Sequence, residues 1–432
     1  MSTEQLYELF KTHPVVTTDS RKCPQGSIFF ALKGESFDGN QFAAKALEQG
    51  CALAVVDDDA VAADDRYIVV PDVLTALQDL AHYHREQLAG KTIIQITGTN
   101  GKTTTKELVS TVLAEAGPVQ FTQGNLNNHI GVPLTLLTLA DDNGFGVIET
   151  GANHPGEIAF LSKIVDADMG LISNVGRAHL EGFGSFEGVK RTKGELYDYL
   201  REHQKTGIFL NASDPDLCGM AQGLNAVKYG LSEADNTDVW GEVIECNPFV
   251  LFKYRTREIG WQSVQTHLIG AYNINNLLAA VAVGLHFGVS AERINSALAN
   301  YTPSNNRSEF RDTGRNHLII DAYNANPSSM AAALRNFAEI KAEKKMVILG
   351  EMRELGAESK QEHRKVLELL EQLLPDCEKW LVGKNFTDET PAGTRCFANV
   401  EEVKQAVASL CGYTILIKGS NSTKLYQLPE CL

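Results

Sequence analysis

Residues 92–116 constrain the fold of this chain more than any other stretch. The apolar run Ile93-Ile94-Gln95-Ile96 passes into the turn Thr97-Gly98-Thr99-Asn100-Gly101-Lys102-Thr103-Thr104, and a helical pattern follows to residue 116. A strand, a glycine turn and a helix in that order make an anion site. The glycines let backbone N–H groups wrap a phosphate, and the helix start adds partial positive charge. Lys102 is placed to reach the outer phosphates, and the Thr103 hydroxyl to coordinate magnesium. The full pattern asks for glycine five positions before Gly101, where this chain has Ile96, so the loop is a shortened variant. The competing reading is an ordinary strand-to-helix turn that contains Gly-Lys-Thr.

A phosphate loop of this kind sits in a parallel, helix-flanked sheet, and the surrounding pattern supplies one. Further strands are expected at 145–149, 170–174 and 208–210, with a helix at 103–116. Ahead of them, apolar runs at 27–32, 52–56 and 67–70 alternate with a helical stretch at 40–49, which reads as a small α/β unit. Pro303 and neighbouring asparagines interrupt the pattern at 301–307. Beyond that break, runs at 317–321, 346–350, 380–383 and 414–419 each end in Gly or Asp. Helices are expected between them at 328–342 and 359–374, with Pro327 suited to a first helical position. This segment reads as a second doubly wound sheet, with its ligand crevice at the carboxyl ends of the strands. The expected architecture is α/β in three domains, at 1–87, 88–302 and 303–432.

Composition agrees with that division and excludes other classes. A chain of 432 residues, 43% hydrophobic and 22% charged, holds about three domains at one per ~150 residues and is too apolar for disorder. Its most apolar stretch, 277–285, falls short of the ~20 residues a bilayer requires, so no membrane insertion is expected. The opening ten residues carry two glutamates and no basic start, so no secretory signal is expected. With 39 basic against 54 acidic residues, the net charge of -15 opposes nucleic-acid binding, which rests on phosphate neutralisation. The 8 cysteines form no CxxC pair, which fits neither a disulfide scaffold nor a zinc site. The expected location is the cytoplasm.

Three other residues invite attention. Glu149 ends the 145–149 strand, beside the phosphate loop if the sheet is parallel. It reads equally as a hard oxygen ligand for Mg²⁺ and as a strand-end carboxylate facing water. His179 and Lys193, taken alone, read as a structural histidine and a solvated helix lysine.

The shortened loop, together with Phe29 to Glu35, Phe37-Asp38-Gly39, Glu149 to His154, His179 to Ser185 and Tyr323 to Pro327, resembles the Mur ligases. These are ATP-dependent amide-forming enzymes of peptidoglycan precursor synthesis. The resemblance runs nearly end to end. It implies an N-terminal domain for a UDP-sugar, a central ATPase domain and a C-terminal Rossmann-like domain closing on ATP and acceptor. Within the family, these stretches point to addition of D-alanyl-D-alanine to UDP-N-acetylmuramoyl-tripeptide, by a chain expected to act as a monomer. A sibling amide ligase and a nucleotide-operated switch are the competing readings. The resemblance places Ser20 and Arg21 at the uridine diphosphate, and Asn127 and Asn128 at the muramoyl-peptide. It makes Thr103, Glu149 and His179 magnesium ligands, joined by Lys193 once carbamylated. It sets Asn273 and Asn276 at the adenine, brings Arg307 and Asp321 onto ATP, and places Tyr323 and Asn324 at the substrate. Asn40, Glu351 and Asn421 stand where the family more often has histidine, aspartate and arginine.

Overall fold

A computed structural model of the chain describes residues 1–432 except 89, 141, 143, 179, 304–306, 387–389 and 391–392. Three mainly parallel sheets follow one another along the sequence. The first has four parallel strands in the order Val16–Thr17, Ile28–Phe30, Leu53–Val56, Tyr67–Val69. Helices Thr3–Thr12 and Val73–Gln87 pack on it. Ser2 begins the first of these with a reciprocal cap to Gln5, which satisfies donors that the helix start leaves orphaned.

The second sheet has nine strands, and the phosphate loop leaves its middle. Thr92–Thr97 lies between Phe145–Glu149 on one side and Met169–Ile172 on the other, all parallel. The chain order reverses there, which opens a crevice at the carboxyl ends of the strands. Register sets the site: Ile96 faces Glu149 across one ladder and Leu171 across the other. The strand expected over 170–174 stops at Ile172. Ser173 and Asn174 turn away to hydrogen-bond the Asn100 carbonyl, at 2.7 and 2.8 Å. The sequence reading missed the edge strand Val119–Phe121 and an antiparallel extension, Val239–Cys246, Phe249–Thr256 and Gln262–Ile269. Alternation of buried Val250, Phe252 and Tyr254 was its signal.

Helix Lys102–Leu113 carries the loop into the core and packs on helix Ile274–His286, which is buried around nearly its whole circumference. An all-round apolar helix belongs in an interior. Gly284 permits the contact, because a Cβ there would collide with Val112 and Ile294.

In the third sheet the order is Glu309–Asp312, His317–Asp321, Thr414–Lys418, Lys345–Gly350, Glu378–Val382, Arg395–Phe397, with only the first strand antiparallel. Pro327 opens helix Pro327–Glu339, capped by Asn326. A single hydrophobic core joins Leu6, Phe30 and Leu77 of the first layer to Ile93, Leu136 and Ile148 of the second. Arg85 adds a partly buried ion pair to Asp168 at 3.0 Å.

His363, 1% exposed, ties helix Ser359–Leu373 to the strand end at Met352. Its Nε2 accepts from the Met352 N–H at 2.9 Å, so Nδ1 carries the proton and donates to the Ser359 carbonyl at 2.7 Å. Burial lowers its pKa from 6.5. Below that value the unfolded chain binds a proton that the folded chain resists, so stability falls as pH drops from about 6.5. The melting temperature of wild type should therefore fall more steeply between neutral pH and mild acid than that of His363→Asn.

Candidate active site

Gly98 and Gly101 give the phosphate loop its shape, and both have positive φ, 142° and 76°. A side chain at Gly98 would strike Ser173, and one at Gly101 would meet Asn276 Oδ1 at 2.9 Å. The loop is braced from behind by a hydrogen-bonded relay. Thr105 donates to Asn276 Oδ1 at 3.0 Å, Asn276 to Asn273 Oδ1 at 2.8 Å, and Asn273 to the Ile269 carbonyl at 2.8 Å. Opposite, the Asn100 N–H donates to Asn174 Oδ1 at 3.0 Å.

Lys102 folds back over the turn, donating to the carbonyls of Gly98 and Thr99 at 2.9 and 3.1 Å. Burial lowers its pKa, against the pull of Glu149, and an anion on the loop would oppose that shift. Thr103 lies directly beneath, donating to Glu149 Oε2 at 2.8 Å. The other carboxylate oxygen, Oε1, accepts from Asn127 Nδ2 at 2.8 Å. Glu149 is 1% exposed, so a buried carboxylate with two neutral donors faces the loop.

The third sheet closes this cleft, of about 720 Å³. Asn326, at its helix cap, donates to Asn100 Oδ1 at 2.7 Å. Asp321 ends its strand paired to Lys418 at 2.5 Å. The Arg307 guanidinium stacks on Tyr323, 3.7 Å from the ring centroid. Lys193 is 2% exposed and reaches the Ala152 carbonyl only at 3.5 Å. Burial, with Lys102 as a neighbouring cation, pushes its pKa down to about 7.

Most of the expected residues converge. Thr99, Asn100, Gly101, Lys102, Thr104, Asn127, Asn128, Glu149, Asn273, Asn276, Arg307, Asp321, Tyr323 and Asn324 line this one cleft. Asn128 also accepts from the Gly131 N–H at 2.9 Å, just ahead of helix Gly131–Leu136. Ser20 and Arg21 stand elsewhere, in the turn after Val16–Thr17. There Arg21 grips Asp19 with two hydrogen bonds, 2.8 and 3.0 Å, and holds its carboxyl down at about 2. His179 lies outside the described residues. Asn174, Asn326 and Lys418 were not singled out in the sequence. Each sits just past or at the end of an expected strand or beside Pro327, the positions that a doubly wound sheet turns toward its ligand.

Magnesium favours hard oxygen donors and keeps several waters. The Thr103 hydroxyl and Glu149 carboxylate, 2.8 Å apart at the loop, fit that preference. Among the described residues no cluster of three His, Cys, Asp or Glu offers another metal site.

A central parallel sheet with this loop at its switch point, closed over by a second doubly wound sheet, defines a phosphate-loop protein of the nucleotide-binding α/β class. Family models match along the chain: the Mur ligase family catalytic domain at residues 14–85, the Mur ligase middle domain at 96–284, and the Mur ligase glutamate ligase domain at 306–421. The UDP-N-acetylmuramoyl-tripeptide–D-alanyl-D-alanine ligase of Escherichia coli K12 is 35% identical, covering 98% of this chain and 94% of its own. MurF from Acinetobacter baumannii superposes with a TM-score of 0.86 at 32% identity, covering 99% of this chain and 98% of that one. MurF ligase from Thermotoga maritima, solved in complex with ADP, gives 0.83 at 25% identity, covering 96% of each. The chain belongs to the Mur ligase family.

Proposed function

We propose that this chain is an ATP-dependent ligase joining D-alanyl-D-alanine to the terminal carboxylate of UDP-N-acetylmuramoyl-tripeptide, with release of ADP and phosphate. The reading is carried by near full-length likeness to an enzyme named for that reaction. It is supported by the loop, Lys102, Thr103 and Glu149 meeting at one cleft.

A carboxylate is a poor electrophile, so it must first be activated. Its oxygen attacks the γ-phosphorus of ATP, the bond to ADP breaks, and an acyl phosphate forms. The dipeptide amine then attacks the acyl carbon; phosphate leaves and the amine's proton passes to solvent. Lys102 offsets charge on the transferring phosphoryl oxygens. Arg307, Asp321 and the third sheet cover the nucleotide and keep water from the acyl phosphate. Thr103 and Glu149, with His179, would hold magnesium, which when bound neutralises phosphoryl charge. Lys193 joins that set only as a carbamate, since an ammonium has no acceptor oxygen. Its burial favours the neutral amine that reacts with carbon dioxide.

In this reading residues 1–87 hold the UDP-sugar through Ser20 and Arg21, 88–302 hold ATP, and 303–432 close on ATP and the dipeptide. Among the described residues no cysteine pair forms a disulfide, which suits a reducing cytoplasm. No helix among the described residues is long and apolar enough to cross a membrane. Action as a monomer belongs to the same reading.

Phosphate release with UDP-muramoyl-tripeptides, followed by mass analysis of product, tests the proposal. Phosphate is expected in proportion to pentapeptide and only when D-Ala-D-Ala is present. Turnover without either peptide substrate would instead make the chain a nucleotide-operated switch. Preference for a single amino acid as acceptor would make it a sibling ligase.

A further inference from the structure

Four residues beyond Lys102, on the same helix, a second lysine lies in the interior. Lys106 is 1% exposed and contributes nothing to the cleft lining. Its Nζ donates to the Thr122 carbonyl at 2.8 Å and stands 3.5 Å from Glu107 Oε1. The ammonium also sits 5.2 Å from the Phe121 ring centroid. Burial lowers its pKa, opposed by Glu107 and Glu149. A buried ammonium is costly, and an aliphatic side chain would fill the same space without that cost. Something at this place needs a donor.

That something is the end of the edge strand. Val119–Phe121 is outermost in its sheet, so the Thr122 carbonyl beyond it has no further strand to pair with. Thr122, fully buried, is a junction. Its N–H donates to the Val147 carbonyl at 3.1 Å, and its hydroxyl accepts from the Glu149 N–H at 2.9 Å. Five residues on, Asn127 holds the Glu149 carboxylate and accepts from the Gly151 N–H at 2.8 Å.

We propose that Lys106 is a positioning residue, fastening the Thr122–Asn127 segment to the phosphate-loop helix so that Asn127 and Glu149 stay aimed into the cleft. The inference rests on the proposed function only in taking Asn127 to meet the muramoyl-peptide and Glu149 to hold magnesium beside the phosphates. Lys106 acts through those two residues and touches neither substrate.

Steady-state kinetics on wild type, Lys106→Met, Lys106→Gln, Asn127→Ala and the double variant Lys106→Met/Asn127→Ala test this. Wild type is assayed first with UDP-muramoyl-tripeptide and D-Ala-D-Ala; absence of ligation there defeats the functional reading, not the role of Lys106. Lys106→Met is expected to raise KM for the UDP-peptide about tenfold or more, the scale on which supporting residues act, with ADP affinity within about twofold of wild type. Lys106→Gln, which keeps a donor without the charge, should recover part of the loss. The double variant should be no worse than Asn127→Ala alone. Multiplying effects in the double variant would overturn the proposal. So would a Lys106→Met enzyme that melts earlier but keeps wild-type constants per folded molecule. If Lys106→Met does not fold, Lys106→Gln alone and combined with Asn127→Ala completes the same cycle. Hydrogen exchange of amides 122–128 should also quicken in Lys106→Gln, and unchanged exchange would overturn the proposal.

Discussion

Lys102→Met is expected to lose about a hundred- to a thousandfold of its phosphate release, since removing one preorganised charge stabiliser costs on that scale. Its fold should survive. The hydrogen bonds of Lys102, at 2.9 and 3.1 Å, end on carbonyls of its own loop. Burial already disfavours its charge, so methionine, of similar length, should leave the melting temperature level or higher. Rates from phosphate release and melting by circular dichroism decide the matter. Near wild-type turnover in a folded Lys102→Met protein would remove the loop from the chemistry.

Lys193→Met is expected to move activity and stability in opposite directions. The side chain is 2% exposed and its pKa falls from 10.5 to about 7. That gap corresponds to a destabilisation on the order of 5 kcal/mol. The unfolded chain holds the proton below about 10.5, and the folded chain refuses it until about 7. The penalty therefore grows as pH falls through that window and is constant below it. In carbonate-free buffer the variant should melt higher than wild type by about 5 °C or more, with the advantage widening from alkaline to neutral pH. Its ligation rate should drop at least about a hundredfold. A variant that melts lower would show that the lysine is held by favourable contacts rather than tolerated for function. Functional sites commonly carry such a stability penalty.

What could be read along the chain was local. The turn at 97–104 is contiguous, and its strand and helix announce themselves by composition. Glu149 needed one further inference, the register of a parallel sheet, and the ladder does set it level with Ile96. Contacts made by distant residues carry no such pattern. Asn100 and Asn326 meet across 226 positions, and nothing in the periodicity around either one marks the meeting. Lys106 repeats this in miniature, since a lysine on a helix looks solvated until its carbonyl partner is known. The antiparallel strands after residue 238 did show alternation at Val250, Phe252 and Tyr254, but a reading tuned to parallel sheets passed over it. His179 and Lys193 were persuasive only through family likeness. Lys193 proves buried, contrary to its local pattern, because its helix Phe186–Glu202 turns that face onto the sheet.

The shared core that welds the first layer to the second has a consequence for substrate length. With Leu6, Phe30 and Leu77 locked against Ile93 and Ile148, the span from the Ser20–Arg21 turn to Glu149 is a constant of the fold. Under the proposed reaction that span works as a calliper. A donor anchored by its nucleotide is gauged along its peptide, and one residue too few would leave its carboxylate outside the jaws.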